Sequence, residues 1–165
     1  MDTRKICILG DFAVGKTSLV ARFVHNEFSE RYYTSIGVRV DTKVVDRPDG
    51  TPLRLAIWDI AGTDTPTELF LRYLRGAAGY LLVVDGTRAE TLARALQLRE
   101  AVESQLSLLP FVGLINKSDL VGEQEIDQDR IQAMRQAGEI WLQVSARTGE
   151  NVNNAFSLLL ASLPG

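Results

Sequence analysis

Gly10-Asp11-Phe12-Ala13-Val14-Gly15-Lys16-Thr17 lies between the apolar run Ile6-Cys7-Ile8-Leu9 and a stretch in which Leu19, Val20, Phe23 and Val24 recur at helical spacing. The pattern is G-x-x-x-x-G-K-[ST] with a strand before it and a helix after it. At average residue frequencies it arises by chance in roughly one window in 10⁴. Its glycines let the backbone turn its N–H groups onto phosphate oxygens, and the helix that follows adds its positive N-terminal end. The Lys16 ammonium suits the terminal phosphates and the Thr17 hydroxyl suits Mg²⁺. Asp11, Ala13, Val14, Gly15 and Ser18 complete the expected phosphate-binding set.

Outward from this loop, strand-like runs alternate with helix-like stretches. Val38, Val40, Thr42 and Val44 alternate with Arg39, Asp41 and Lys43. The turn signal Pro48-Asp49-Gly50 then leads into Leu53, Leu55 and Ile57, so these two runs read as a hairpin. Tyr80–Val84 and Phe111–Ile115 are continuous apolar runs of the kind covered on both faces, and Ile140–Val144 is a shorter sixth strand. Thr65 reads as a helix cap, with Pro66 at the first helical position and Glu68 three residues on, and Thr87 with Glu90 repeats the signal. Val152, Ala155, Phe156, Leu159, Leu160 and Leu163 form the stripe of a last helix. The alternation predicts an α/β domain with a mostly parallel sheet and helices on both faces, its ligand beyond the carboxyl ends of the strands.

Further polar segments follow predicted strands at that end. Asn116-Lys117-Ser118-Asp119 comes after Ile115, where a carboxylate can accept from the paired N–H donors on the edge of guanine. Adenine lacks that pair and would leave the carboxylate unsatisfied. Asn116 is placed to tie this loop to the phosphate loop, and the Lys117 stem to lie along the base. Ser145-Ala146-Arg147, after Val144, offers a backbone N–H to the guanine carbonyl. Asp59-Ile60-Ala61-Gly62 follows the third strand: Asp59 is a candidate Mg²⁺ partner through water and the Gly62 N–H a candidate γ-phosphate donor. Tyr32–Gly37 offers a further hydroxyl for the metal, and Phe28 stands to lie edge-on to the base.

Length and composition bound the rest. The 165 residues suit one domain, residues 1–165, with a sizeable core. A net charge of −3 leaves no basic face for nucleic acid. The single cysteine, Cys7, reads as a core residue and permits no internal disulfide, which fits a reducing compartment. Asp2-Thr3-Arg4-Lys5 is no signal peptide, and Ala77–Val84 is far short of the ~20 residues that span a bilayer. Nor does the sequence carry a myristoylation glycine or a prenylation cysteine. The expectation is a cytoplasmic monomer, reaching membranes only through a partner or a tail outside this sequence.

The four motifs, in this order and spacing, resemble the Ras superfamily of small GTPases over essentially the whole chain. Gly10-Asp11, Ser35-Ile36-Gly37-Val38, Ile57-Trp58-Asp59 and Arg75-Gly76-Ala77-Ala78-Gly79 look nearest to its Rab branch. The resemblance implies the P-loop NTPase fold: six strands, one of them antiparallel, and five helices. It also implies GTP/GDP and Mg²⁺ as cofactors and Tyr32–Gly37 and Gly62–Tyr73 as the two switches. Lys16, Gly62 and the residue at position 63 would carry catalysis. Effectors, an exchange factor and a GTPase-activating protein would meet the switches around Val40, Trp58 and Tyr73.

Departures from the family pattern shape the functional expectation. The residue after Gly62, usually the glutamine that orients the attacking water, is Thr63. Phe12 and Ala13 stand where small residues are usual, and Val40 replaces a phenylalanine of the Rab effector patch. The switch threonine aligns with Ser35, leaving Thr34 or Ser35 as metal ligand. The reading is a switch with slow intrinsic hydrolysis; a hydrolysis-deficient interaction module, or the G domain of a larger protein, are its alternatives. A P-loop kinase is disfavoured by the base-reading loop and by the absence of a substrate-lid insertion.

Overall fold

A computed structural model describes residues 1–28, 37–62 and 67–164. The strands are β1 (Asp2–Gly10), β2 (Val38–Asp46), β3 (Pro52–Ile60), β4 (Gly79–Asp85), β5 (Phe111–Asn116) and β6 (Trp141–Gln143). The helices are α1 (Lys16–His25), α2 (Glu68–Leu74), α3 (Glu90–Gln105), α4 (Gln128–Gln136) and α5 (Val152–Ser162), with a 3-10 turn at Val121–Glu123. The strands form one sheet in the order β2-β3-β1-β4-β5-β6. The β2–β3 hairpin is antiparallel and every other pairing is parallel. The mostly parallel six-stranded sheet expected from the sequence is thus present.

Alternation along the central strands sends apolar side chains to both faces. Ile6, Ile8, Leu55, Ile57, Leu81 and Val83 meet α1 and α5, where Phe23 and Phe156 stack with ring centroids 3.7 Å apart. Cys7, Leu9, Leu82 and Val84 meet α2, α3 and Ile131 of α4. Gly113 on β5 is there because the Trp141 indole fills the space its Cβ would take, at 2.2 Å. Both layers are built of buried apolar side chains, so the sheet is a rigid platform and variation is left to its rim.

Three local expectations are corrected. Helix α2 is capped by Thr67, whose hydroxyl accepts from the Phe70 N–H at 3.1 Å; Thr65 and Pro66 lie outside the described residues. Thr87 does not cap α3. Its N–H and hydroxyl both donate to the Asp85 carboxylate, and the cap position is Ala89. Along β2, Val40 and Val44 are exposed while Asp41, Lys43 and Val45 are half-buried. Lys43 explains the inversion: its ammonium donates to the Phe23 carbonyl at 2.6 Å and sits over the Phe23 ring, so its stem covers the core and its charge is paired. Helix α4 is capped by Asp127, whose carboxylate accepts from the N–H groups of Asp129 and Arg130. No helix among the described residues is long and apolar enough to cross a membrane.

Candidate functional site

The parallel register brings the carboxyl ends of β1, β3, β4, β5 and β6 side by side: Ile8 pairs with Asp59, Gly10 with Val83, Asp85 with Asn116 and Ile115 with Gln143. The loops leaving those ends surround a cavity of about 540 Å³. Ala13, Gly15 and Ser18 line it from the phosphate loop, Asn116, Lys117 and Asp119 from the loop after β5, and Ala146 and Arg147 from the loop after β6. Phe28 lines one side of the cavity while packing against the core.

The phosphate loop has the backbone its motif demands. Gly15 has φ of 102° and a Cβ there would come 2.2 Å from the Asn116 amide nitrogen. Ala13, at φ 57°, holds a left-handed conformation that costs a side-chain-bearing residue energy. Lys16 is buried and its ammonium donates to the carbonyls of Gly10 at 3.2 Å and Asp11 at 2.9 Å. Burial pulls its pKa down to about 8, opposed by the carboxylates of Asp59 and Asp11. A dehydrated cation whose direct bonds go to neutral carbonyls can exchange them for an anion.

Beside it the Thr17 hydroxyl donates to the buried Asp59 carboxylate. Two hard oxygen donors in contact, next to a lysine, fit Mg²⁺, which favours carboxylate, hydroxyl and phosphate oxygens. Gly62 closes the site from β3: a Cβ there would fall 2.7 Å from the Phe12 Cα, so only glycine lets the two backbones approach. Thr34, Ser35 and Thr63 lie outside the described residues.

The base-reading loop is locked by Asn116. Its amide donates to the Val14 carbonyl at 3.0 Å, and its carbonyl accepts from the Ala146 N–H at 3.1 Å. One side chain thus joins all three loops. Within the Ser145-Ala146-Arg147 loop, the Ala146 N–H is thereby engaged by Asn116. Asp119 accepts from the Ser145 hydroxyl at 2.7 Å through one carboxylate oxygen.

Four further residues hold the site, and none stands in a motif. Asp85, fully buried, pairs with the Lys117 ammonium at 2.7 Å. Arg22 on α1 donates to the carbonyls of Ala146 and Arg147. The Gln124 amide donates to the carbonyls of Lys117 and Leu120, at 2.9 and 3.0 Å. The Asp11 carboxylate is taken up by Arg94, at 2.6 Å. Only Asp85, at the end of an apolar strand, had a signal in the sequence: a charged residue where the chain is otherwise wholly buried.

On the far edge, Trp58 and Tyr73 lie 6.3 Å apart, centroid to centroid, and Val40 pairs with Trp58 across the hairpin. The Lys5 ammonium sits 3.7 Å from the Trp58 ring centroid.

With this geometry in place, comparison with known proteins agrees. Residues 5–164 match the Ras family. "Ras-related protein Rab-7L1" of Rattus norvegicus is 32% identical over 96% of this chain and 81% of its own length. The Homo sapiens protein of the same name is 31% identical with the same coverage. The phosphate loop, the Thr17–Asp59 pair and the locked base-reading loop therefore sit in a member of the Ras family of small GTPases, a Rab-like but divergent guanine-nucleotide-binding switch domain.

Proposed function

We propose that this chain is a GTP/GDP switch that hydrolyses GTP slowly without help. The observation that supports this reading best is Asn116, which couples the phosphate loop to the loop that carries Asp119, the residue we assign to guanine. The Lys16 ammonium, held at present by two carbonyls, turns to the β- and γ-phosphates; the exposed backbone of the loop and the positive end of α1 share that charge. Thr17 and Asp59 would hold Mg²⁺, with Thr34 or Ser35 as the further ligand expected in the triphosphate state. Bound Mg²⁺ neutralises charge on the transferring phosphoryl group. The Gly62 N–H answers to the γ-phosphate, and its loss on hydrolysis releases the switches.

Slow turnover follows from Thr63. Threonine is shorter than glutamine and lacks the amide that both donates and accepts at the attacking water, in a reaction where the protein contributes mainly positioning. The Phe12 residue is 54% exposed with its backbone against Gly62, and its ring would crowd an arginine offered by an activating partner. Effectors and regulators meet Val40, Trp58 and Tyr73. The chain works as a single-domain monomer in the cytoplasm, and partners or a segment outside this sequence bring it to membranes.

Two measurements test the reading. Nucleotide released from the purified protein by acid is expected to be GDP or GTP; adenine nucleotide in its place overturns the guanine assignment. In single-turnover GTP hydrolysis, Thr63→Gln is expected to be faster than wild type, alone or combined with Phe12→Gly. A wild type as fast as both variants refutes the role given to Thr63, and no hydrolysis in any of them favours an interaction module that holds its nucleotide.

A further inference from the structure

Among the phosphate-loop residues, Asp11 is anomalous: a fully buried carboxylate adjoining a site read here as one for polyphosphate. Its carbonyl oxygen accepts from the Lys16 ammonium at 2.9 Å, so a full negative charge sits within one residue of the cation that must take the phosphates. In a poorly hydrated interior such a charge acts at long range: it competes for Lys16 and repels an incoming anion.

The structure shows what offsets it. One Asp11 carboxylate oxygen accepts from the Phe12 N–H at 2.7 Å. The other accepts from Arg94 Nη1, on α3, at 2.6 Å and lies 3.7 Å from Arg88 Nη2, in the loop before α3. Arg88 also donates to the Phe12 carbonyl at 2.9 Å and shares its Nε with Glu90 at 3.3 Å. The carboxylate therefore has its closest cation in Arg94 and a second, shared one in Arg88.

We propose that Arg94, seconded by Arg88, is a positioning residue that neutralises the carboxylate built into the phosphate loop and so lets the loop accept a polyphosphate. This rests on the nucleotide-binding reading above. It makes nucleotide affinity depend on a helix that touches no nucleotide. A merely mechanical role, pinning α3 to the loop, predicts a different pattern: loss that ignores ligand charge and is not relieved by removing Asp11. Neutralisation predicts loss that grows with the number of phosphates and is relieved when the carboxylate goes too.

The test measures equilibrium binding of GMP, GDP and GTP, with Mg²⁺, to wild type, Arg94→Ala, Arg94→Lys and the double variant Asp11→Ala/Arg94→Ala. Arg94→Ala is expected to weaken GDP by several-fold to roughly tenfold: it leaves the fully buried Asp11 carboxylate without its closest cation, although the Arg94 side chain itself is 40% exposed and partly screened. GTP should lose more than GDP, and GMP least. Arg94→Lys, which keeps the charge, should lose clearly less than Arg94→Ala, and the double variant should bind GDP more tightly than Arg94→Ala does. Should Arg94→Ala not fold, Arg88→Ala must show the same ordering at smaller size. Equal losses for the three nucleotides, no loss, or a double variant no tighter than the single one overturns the proposal while leaving the nucleotide reading intact. A wild type that binds no guanine nucleotide overturns that reading and this inference with it.

Discussion

Replacing Asn116 by alanine removes one side chain and unties three loops. The residue is 2% exposed, and both groups it satisfies are buried: the carbonyl of Val14 and the N–H of Ala146. Alanine leaves each without that partner, and an orphaned buried backbone group costs about 1–3 kcal/mol. The two together give about 2–6 kcal/mol. Asn116 and Ala146 line the cavity of about 540 Å³, so water can enter where the side chain is removed and the lower end of that range applies, about 2–3 kcal/mol. In a domain of this size each kcal/mol moves the midpoint by roughly 2–4 °C, so Asn116→Ala should melt roughly 4–12 °C below wild type. Urea unfolding of nucleotide-free protein measures the loss directly, with Ser118→Ala as the control. Ser118 sits in the same loop, but its hydroxyl makes only a long contact, 3.4 Å, to Glu150, and its removal should cost little. An Asn116→Ala protein within 0.5 kcal/mol of wild type, a margin of about the size usual for surface changes, would refute the claim that this side chain joins the loops.

Other outcomes follow from the same geometry. Asp119→Asn exchanges an acceptor for a donor at the guanine edge and should shift preference from GDP toward xanthosine diphosphate in a competition assay; unchanged preference would remove Asp119 from base reading. Lys16→Ala deletes the one buried ammonium of the loop, and a lost charge-assisted bond of about 1.5–3 kcal/mol should weaken GDP by roughly tenfold to a hundredfold in calorimetry. Burial holds the Cys7 thiol up at about 12 in the folded chain, against 9.0 for an ordinary thiol, so the stability it contributes is whole below pH 9 and lost as pH climbs from 9 toward 12. Between pH 8 and 10 that amounts to about 1.4 kcal/mol, and a urea series should show a shallower decline over that range in Cys7→Ala.

The fold was legible because its signals are local. Buried parallel strands such as Tyr80–Val84 are unbroken apolar runs, and the turn at Pro48-Asp49-Gly50 announces its hairpin. The motif residues were legible for the same reason: their spacing is fixed by the shape of a phosphate or a purine. What failed was partner choice. Thr65 and Thr87 carry the composition of caps, yet Thr67 caps α2 and Thr87 is drawn two residues back to Asp85, because a side chain three or two residues away offers a competing local bond that composition does not rank. Along β2 the valines were expected to mark the strand's period, and they do. Which face is buried was decided by Lys43 meeting Phe23, 20 residues away in the chain.

The same distinction separates the residues that face the ligand from those that hold them. Asp119 and Lys117 are recognisable as a motif, but a loop with Lys117 at φ 70° does not keep its shape unaided. Its carbonyls are fixed by Gln124 and its ammonium by Asp85, and the neighbouring loop is fixed by Arg22 through Ala146 and Arg147. These holders come from α1, from the end of β4 and from the segment after the 3-10 turn, elements far apart in the chain that only the tertiary fold brings together. Any residue able to donate two bonds, or to carry one charge, meets the need at such positions, so nothing in their identity announces them. Substitutions there should change how long a nucleotide stays without changing which one is chosen, since the groups that touch the base are left in place. Substitution of Asp119 should change the choice itself. A Gln124→Ala protein that confused guanine with adenine would contradict that division, because it would make a holder into a reader.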